Sequence, residues 1–217
     1  MKHFRILGLA VLALFALSAF AAGMASAEEG VLPPSNFTVT GGTQTLTNLR
    51  EETIVCKAVT GTGKFLTEKE KDQHATGTLD FTGCTASGFA ANTLGDEKEV
   101  ILAKVLYLIC LTEPKTLLFG VLVLALENPV HIEVPIIKAL ILVKGYTIGS
   151  LETEKEAKGK VVAVLFNEKD KHATCEINGT LFTSTYLASI DSKEDVDAFQ
   201  SGLVTVTFEK EVTFMDT

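Results

Sequence analysis

The sequence predicts an all-β protein, an antiparallel β-sandwich or barrel with one or two short helices. Three observations carry this. From Leu203 to Phe214 the chain alternates: Val204, Val206, Phe208, Val212 and Phe214 fall on one face, and Thr205, Thr207, Glu209, Glu211 and Thr213 on the other. A strand puts successive side chains on opposite faces, so this run has one wet and one buried side. Short runs rich in Thr, Val, Ile and Phe recur from Asn36 onward, broken by Gly, Asn and mixed-charge clusters. The middle third then holds three runs that are apolar on both faces: Val100–Cys110, Leu117–Leu126 and Ile136–Val143. Runs of this kind fit strands buried on both sides, or one buried helix.

In chain order, the first element is a leader. Lys2 and Arg5 precede an apolar run from Ile6 to Ala22, and Ala25-Ser26-Ala27 has the small-residue pattern of a signal-peptide cleavage site. Residues 1–27 are expected to be removed, residues 28–35 to form a flexible start, and residues 36–217 to form a single all-β domain. Glu28 follows the cleavage site where a lipoprotein needs cysteine, so no lipid anchor is expected. Alternation returns at Thr78–Thr82 and Val130–Val134. Charged clusters at 67–74, 151–160 and 167–172 read as hairpin tips. Lys210 interrupts the apolar row of the last strand and marks a bulge or an edge. Two segments have helical alternatives. The acids Asp96, Glu97 and Glu99 suit the start of a helix over 96–110. Ser192 and Asp195 resemble a capping pair for a helix over 191–200. A faint echo links His74-Ala75-Thr76 with His172-Ala173-Thr174, through a duplicated hairpin or shared composition. Strand lengths and turn spacing suggest roughly ten strands.

The four cysteines, Cys56, Cys84, Cys110 and Cys175, lie beyond the leader. An even number behind an export signal points to disulfides. Sequence allows three pairings; Cys56–Cys84 with Cys110–Cys175 is favoured, because the first two flank one hairpin. No C-x-x-C spacing and no zinc-type His pair accompanies them, so metal ligation is not expected.

Charge excludes one partner class. The net charge of −8 becomes −10 once the leader's two basic residues are gone, and Arg50 is then the only arginine. Nucleic acid needs clustered Lys and Arg, so it is not expected as a partner. No apolar run beyond the leader reaches the length of a membrane-spanning helix. With no Trp and three Tyr, aromatic girdles of an outer-membrane barrel and stacking platforms for glycans are both poorly supplied. No G-x-S-x-G, P-loop or dinucleotide motif occurs, and no cofactor is implied.

The remaining chemical candidates are sparse. His131 and Glu133 share one face of an alternating strand, and a His–carboxylate pair can form half of a general-base site. His74 and His172 sit in charged turns. Asp191, Glu194, Asp195 and Asp197 cluster closely enough to be weak calcium candidates, without the glycine and final glutamate of an EF-hand.

Cys56 followed by Thr60-Gly61-Thr62-Gly63, then Phe81-Thr82-Gly83-Cys84, a third cysteine, and a fourth near a Thr-rich strand resembles a group of secreted proteins of unknown function from high-GC actinobacteria. The resemblance implies secretion and paired cysteines; it carries no activity or catalytic residue. The expected function is a secreted, disulfide-stapled, non-catalytic binding or structural module of the extracellular space or cell envelope. Its partner would be a protein or an envelope component. The alternative is a secreted hydrolase with a site assembled around His131. N-terminal sequencing of exported protein is expected to begin at Glu28; a start at Met1 would contradict the leader assignment.

Overall fold

The computed structural model describes residues 35–67, 73–96, 99–113, 118–126, 129–151, 157–167, 172–177, 179–191 and 194–214. The leader and all of the 28–35 segment except Ser35 lie outside them. Ser35 itself is buried, and its carbonyl accepts a hydrogen bond from the Phe65 amide.

Eight long strands close into an antiparallel barrel. In chain order they are β1 (Asn36–Asn48), β3 (Ala58–Thr67), β4 (Gln73–Thr82), β8 (Val100–Glu113), β9 (Leu118–Ala125), β12 (Tyr146–Leu151), β13 (Ala157–Asn167) and β17 (Val196–Phe214). Each pairs with the next in this order. The last returns to the first along a ladder from Phe37↔Phe208 to Asn48↔Ala198. Closure leaves no free sheet edge among these eight.

The remaining described strands are insertions in connections that leave from one end of the barrel. They are β2 (Thr53–Cys56), β5 (Thr85–Ala86), β6 (Phe89–Ala90), β7 (Asn92–Thr93), β10 (Val130–Val134), β11 (Ala139–Lys144), β14 (Thr174–Ile177), β15 (Thr180–Thr183) and β16 (Leu187–Ile190). Strands β14 and β15 run back along the outer wall of the barrel. The seventeen strands among the described residues exceed the expected ten, because the connections between the eight long strands hold nine short ones. Strand β2 extends the β3 side of β1, with the register broken at Lys57. Strands β7, β10, β11 and β16 join the start of β17 in a second small sheet. Its buried Ile132, Val134, Ile141 and Val143 pack with Ile54 and Ile101 as a separate core.

The interior follows the period of two. Phe37 and Val39, Val59 and Phe65, Val105, Val121 and Val123, Val162 and Val164, and Val204 and Phe208 form one buried cluster. Thr38, Thr40, Thr60, Thr62 and Thr78, out of phase with it, are exposed. Apolar inside and polar outside is the inverse of a membrane-spanning barrel. Close approach needs glycine at Gly63, where a Cβ would fall 2.2 Å from the Phe37 ring.

The two-faced apolar runs have a direct cause. Strands β8, β9 and β12 send one face into the barrel and the other under the β14–β15 hairpin. Cys110, Leu122 and Ile148 form that outer layer with Cys175, joined by Leu108, Leu124 and Phe182.

Several expectations are corrected. Residues 100–113 are strand rather than helix, because β4 and β9 both supply ladders to them. Val196–Gln200 open β17, so the helix over 191–200 is absent; β1 pairs with Ala198, Phe199 and Gln200, and Asp191 is a turn residue at φ 51°. Ser192 of the supposed cap is outside the described residues. A 3-10 turn at Pro135–Ile137 is the helical element among the described residues. The clusters at 67–74 and 151–160 do connect paired strands, β3–β4 and β12–β13. The cluster at 167–172 is no hairpin tip, since β13 pairs with β12 and β17 while β14 pairs with β15 and β8. Lys210 does lie in a bulge: between Thr207 and Val212, β17 advances farther than β13 does between Val161 and Gly159. The echo is no duplication, because His74–Leu79 is barrel wall and His172–Leu181 covers the wall from outside.

Cys56 and Cys84 form a disulfide with Cα atoms 4.0 Å apart, joining the end of β2 to the segment after β4. Their separation of 28 residues gives a loop-closure contribution of about 3.6 kcal/mol. The double variant Cys56→Ser with Cys84→Ser is expected to lose roughly 2–4 kcal/mol in urea unfolding. An unchanged midpoint would show that the bond does not restrain the unfolded chain.

Candidate functional site: the barrel interior

Closing the sheet leaves a cavity of about 90 Å³ inside the barrel. That is well above the ~10–15 Å³ one water needs, and below the ~300–1,000 Å³ of pockets for drug-sized ligands. At the end where β3 runs on to β4, Phe37 packs against Phe65 and Tyr107 at 5.6 Å between ring centroids and against Phe208 at 5.8 Å. Val121, Val123, Val164 and Val204 form the walls. Gln44, Tyr186 and Gln200 line the end nearer the insertions. The lining holds no charged side chain.

Two of its polar groups are unusual. The Tyr107 hydroxyl is buried and has no hydrogen-bond partner among the described residues. Burial pushes its ionisation well above the usual tyrosine range. Gln44 is 4% exposed. Its Nε2 donates to the Leu203 carbonyl at 3.1 Å and to the Gly42 carbonyl at 3.4 Å, and its Oε1 is left without a partner. Each such orphan costs about 1–3 kcal/mol. Neither residue was singled out by sequence. Local alternation marks neither: Gln44 turns inward only through the register shift between Gly41 and Gln44, and Tyr107 lies in a run apolar on both faces.

The residues that sequence did single out lie elsewhere. His131 and Glu133 are on β10 in the small sheet. Glu133 Oε1 accepts a 2.7 Å hydrogen bond from Asn92 Nδ2, and the His131 side chain is exposed. Among the described residues the His131 side chain has no hydrogen-bonded hydroxyl or thiol. His74 is half-buried on β4. The weak calcium candidates are drawn apart. Asp191 Oδ1 accepts from the Leu140 amide, Glu194 pairs with Arg50, Asp195 with Lys144, and Asp197 faces His172. Among the described residues no three His, Cys, Asp or Glu side chains converge on a metal position.

One constellation was invisible in the sequence. His172 Nδ1 lies 3.3 Å from Ser184 Oγ, and its Nε2 lies 3.6 Å from Asp197 Oδ2. The residue types match a Ser–His–Asp site, but Ser184 is 1% exposed and a substrate carbonyl has no approach to its hydroxyl. The imidazole also packs on Phe199, 5.0 Å between centroids. The set fastens the segment before β14 to the start of β17.

Of the cysteines, Cys56 and Cys84 are joined as expected. Cys110 and Cys175 are brought together but not bonded; both are buried thiols. The thiols sit diagonally across the β8–β14 contact and share a hydrogen bond instead.

No protein-family model, curated protein or solved structure matches the chain. The site therefore rests on its own geometry.

The variant Tyr107→Phe deletes an unsatisfied hydroxyl and is expected to be neutral or more stable by up to about 1 kcal/mol. The sign with pH follows from the raised ionisation. Above about pH 10 the unfolded chain releases the tyrosine proton while the folded chain keeps it, so stability falls as pH rises. Urea unfolding between pH 8 and 11 is expected to show a shallower alkaline loss in the variant. Equal losses in the two proteins would mean that Tyr107 is not buried in its neutral form.

Proposed function

We propose that the protein is an exported, non-catalytic binding module whose barrel interior takes a small or slender, uncharged apolar molecule. The observation that carries this is the cavity inside the closed sheet, with no charged lining residue. Burying an unpaired charge there would cost several kcal/mol, so the enclosed part of the occupant is neutral. Burial of apolar surface, at about 25 cal/mol per Å², supplies the affinity. A polar atom on the occupant within reach of the Tyr107 hydroxyl or Gln44 Oε1 would relieve an orphan and fix orientation. An apolar constituent of the cell envelope is the partner class that fits. Export is supported by the leader in the sequence and by the Cys56–Cys84 disulfide, which belongs to an oxidising compartment.

Titration with a small neutral apolar probe, xenon or a molecule no larger than benzene, followed by methyl NMR shifts, tests the reading. Saturable one-to-one binding is expected, insensitive to salt because no lining charge takes part. Ala103 lines the cavity, and Ala103→Leu fills part of it. That variant is expected to bind at least about tenfold more weakly, a loss of about 1.4 kcal/mol, with an unchanged far-UV spectrum. Absence of saturable binding, or equal binding by the filled variant, would remove the proposal.

A further inference from the structure

The β14–β15 hairpin is a separate piece laid on the barrel wall. Within the hairpin, four residue pairs are in register from Thr174↔Thr183 to Ile177↔Thr180. Its ladder contact with β8 is the single pair Glu176↔Leu111. Antiparallel pairing at that point puts Cys110 and Cys175 on the same face of neighbouring strands, one diagonal step apart. Diagonal neighbours of this kind lie about 7–8 Å apart, just beyond the ~4.4–6.8 Å that a disulfide spans, so the bond needs a small backbone shift to close.

The surroundings favour a sulfur–sulfur contact. Cys110 stands opposite Gly120 on β9, and a Cβ at Gly120 would lie 3.5 Å from the Cys110 sulfur. Leu122, Ile148, Ile177 and Phe182 enclose the pair in apolar surface. Among the described residues no third metal-ligating side chain joins them, which leaves oxidation as the chemistry open to two touching thiols. The same chain already carries one disulfide, so it is a chain that meets an oxidant.

We propose that Cys110 and Cys175 are the site of a second disulfide, which clamps the β14–β15 hairpin to the outer wall of the barrel and closes only after the hairpin has lifted. Lifting is required because Cys175 is 0% and Cys110 3% exposed, so no oxidant reaches either sulfur in the closed form. The hydrogen bond to Cys175, and then burial, also hold the Cys110 thiol far above its ordinary ionisation, so the reactive thiolate is scarce until the site opens. The oxidant is a disulfide, RSSR, either a small molecule or the active-site disulfide of a thiol oxidoreductase. One cysteine loses its proton and attacks RSSR, and the departing RS⁻ takes up a proton. The second cysteine, deprotonated in turn, attacks the mixed disulfide and expels the other RS⁻. Two protons and two electrons pass to the oxidant, giving two RSH and one Cys110–Cys175 bond.

The bond would tie down the outer side of strands whose inner faces line the cavity, which makes the hairpin a removable brace on the wall. This does not depend on the cavity taking a ligand.

The test uses the full-length protein with Cys56–Cys84 formed and Cys110 and Cys175 reduced. It is incubated with oxidised glutathione, alkylated under denaturing conditions and mapped by mass spectrometry. The expected result is loss of both alkylatable thiols and a peptide linking Cys110 to Cys175. The rate is expected to rise several-fold in urea too dilute to unfold the barrel, and amide exchange at Thr174–Ile177 to slow once the bond has formed. Persistence of both thiols, or glutathione retained on one cysteine, would overturn the second disulfide. A closure rate indifferent to dilute urea would overturn the lifting step.

Discussion

The return of β17 to β1 is the interaction on which the rest of the molecule depends. Nothing local brings residues 36–48 to residues 198–208, yet their ladder turns a meander of eight strands into a closed barrel. Strand β17 is 19 residues long and serves several neighbours. It pairs with β16 at its start, with β1 and β13 through its middle, and with β13 again beyond the bulge. Without that ladder, β1 and β17 would present free edges and the apolar inner faces would have no enclosure. Phe37 and Phe208 face each other across the closing pair and stack with Phe65 and Tyr107, so the seam is also where the largest interior side chains meet.

Closure also explains the division between the two ends. The described insertions leave from one end, where β7, β10, β11 and β16 add a sheet with its own apolar core. The Cys56–Cys84 bond belongs to that core. The wall formed by β8, β9 and β12 is covered on its outer side by β14–β15, while the Thr-rich outer faces of β1, β3 and β4 meet water. The interior is therefore shielded by a sheet at one end and by a hairpin along one side. The His172, Ser184 and Asp197 contacts are part of this covering, not a catalytic centre, because the serine is enclosed.

Much of the architecture was legible because it is periodic. The alternation of Val204, Val206 and Phe208 with Thr205 and Thr207 reports the strand and its inward face directly. The two-sided apolar character of 100–126 was legible as burial on both faces, but the covering hairpin lies some fifty residues farther on and leaves no local sign. The local signal misled at 191–200, where capping residues suggest a helix and long-range ladders supply the backbone partners instead. The binding candidate was the least legible feature. A cavity is a property of closure, and Gln44 and Tyr107 matter only because the barrel buries them with unpaired atoms. His131 and Glu133 stood out in sequence as a chemical pair, but Glu133 is engaged by Asn92 across the β7–β10 pair.

The central claim is that the closed barrel encloses an accessible apolar cavity. Xenon enters dry apolar cavities without needing a polar contact, so it reports the space independently of any particular ligand. The direct measurement is a methyl-resolved NMR titration of the protein under xenon pressure. The account predicts saturating shifts at inward methyls of Val121, Val123, Val164 and Val204, with Leu122 on the outward face of the same β9 strand unaffected. Shifts confined to outward methyls, or none at all, would contradict it.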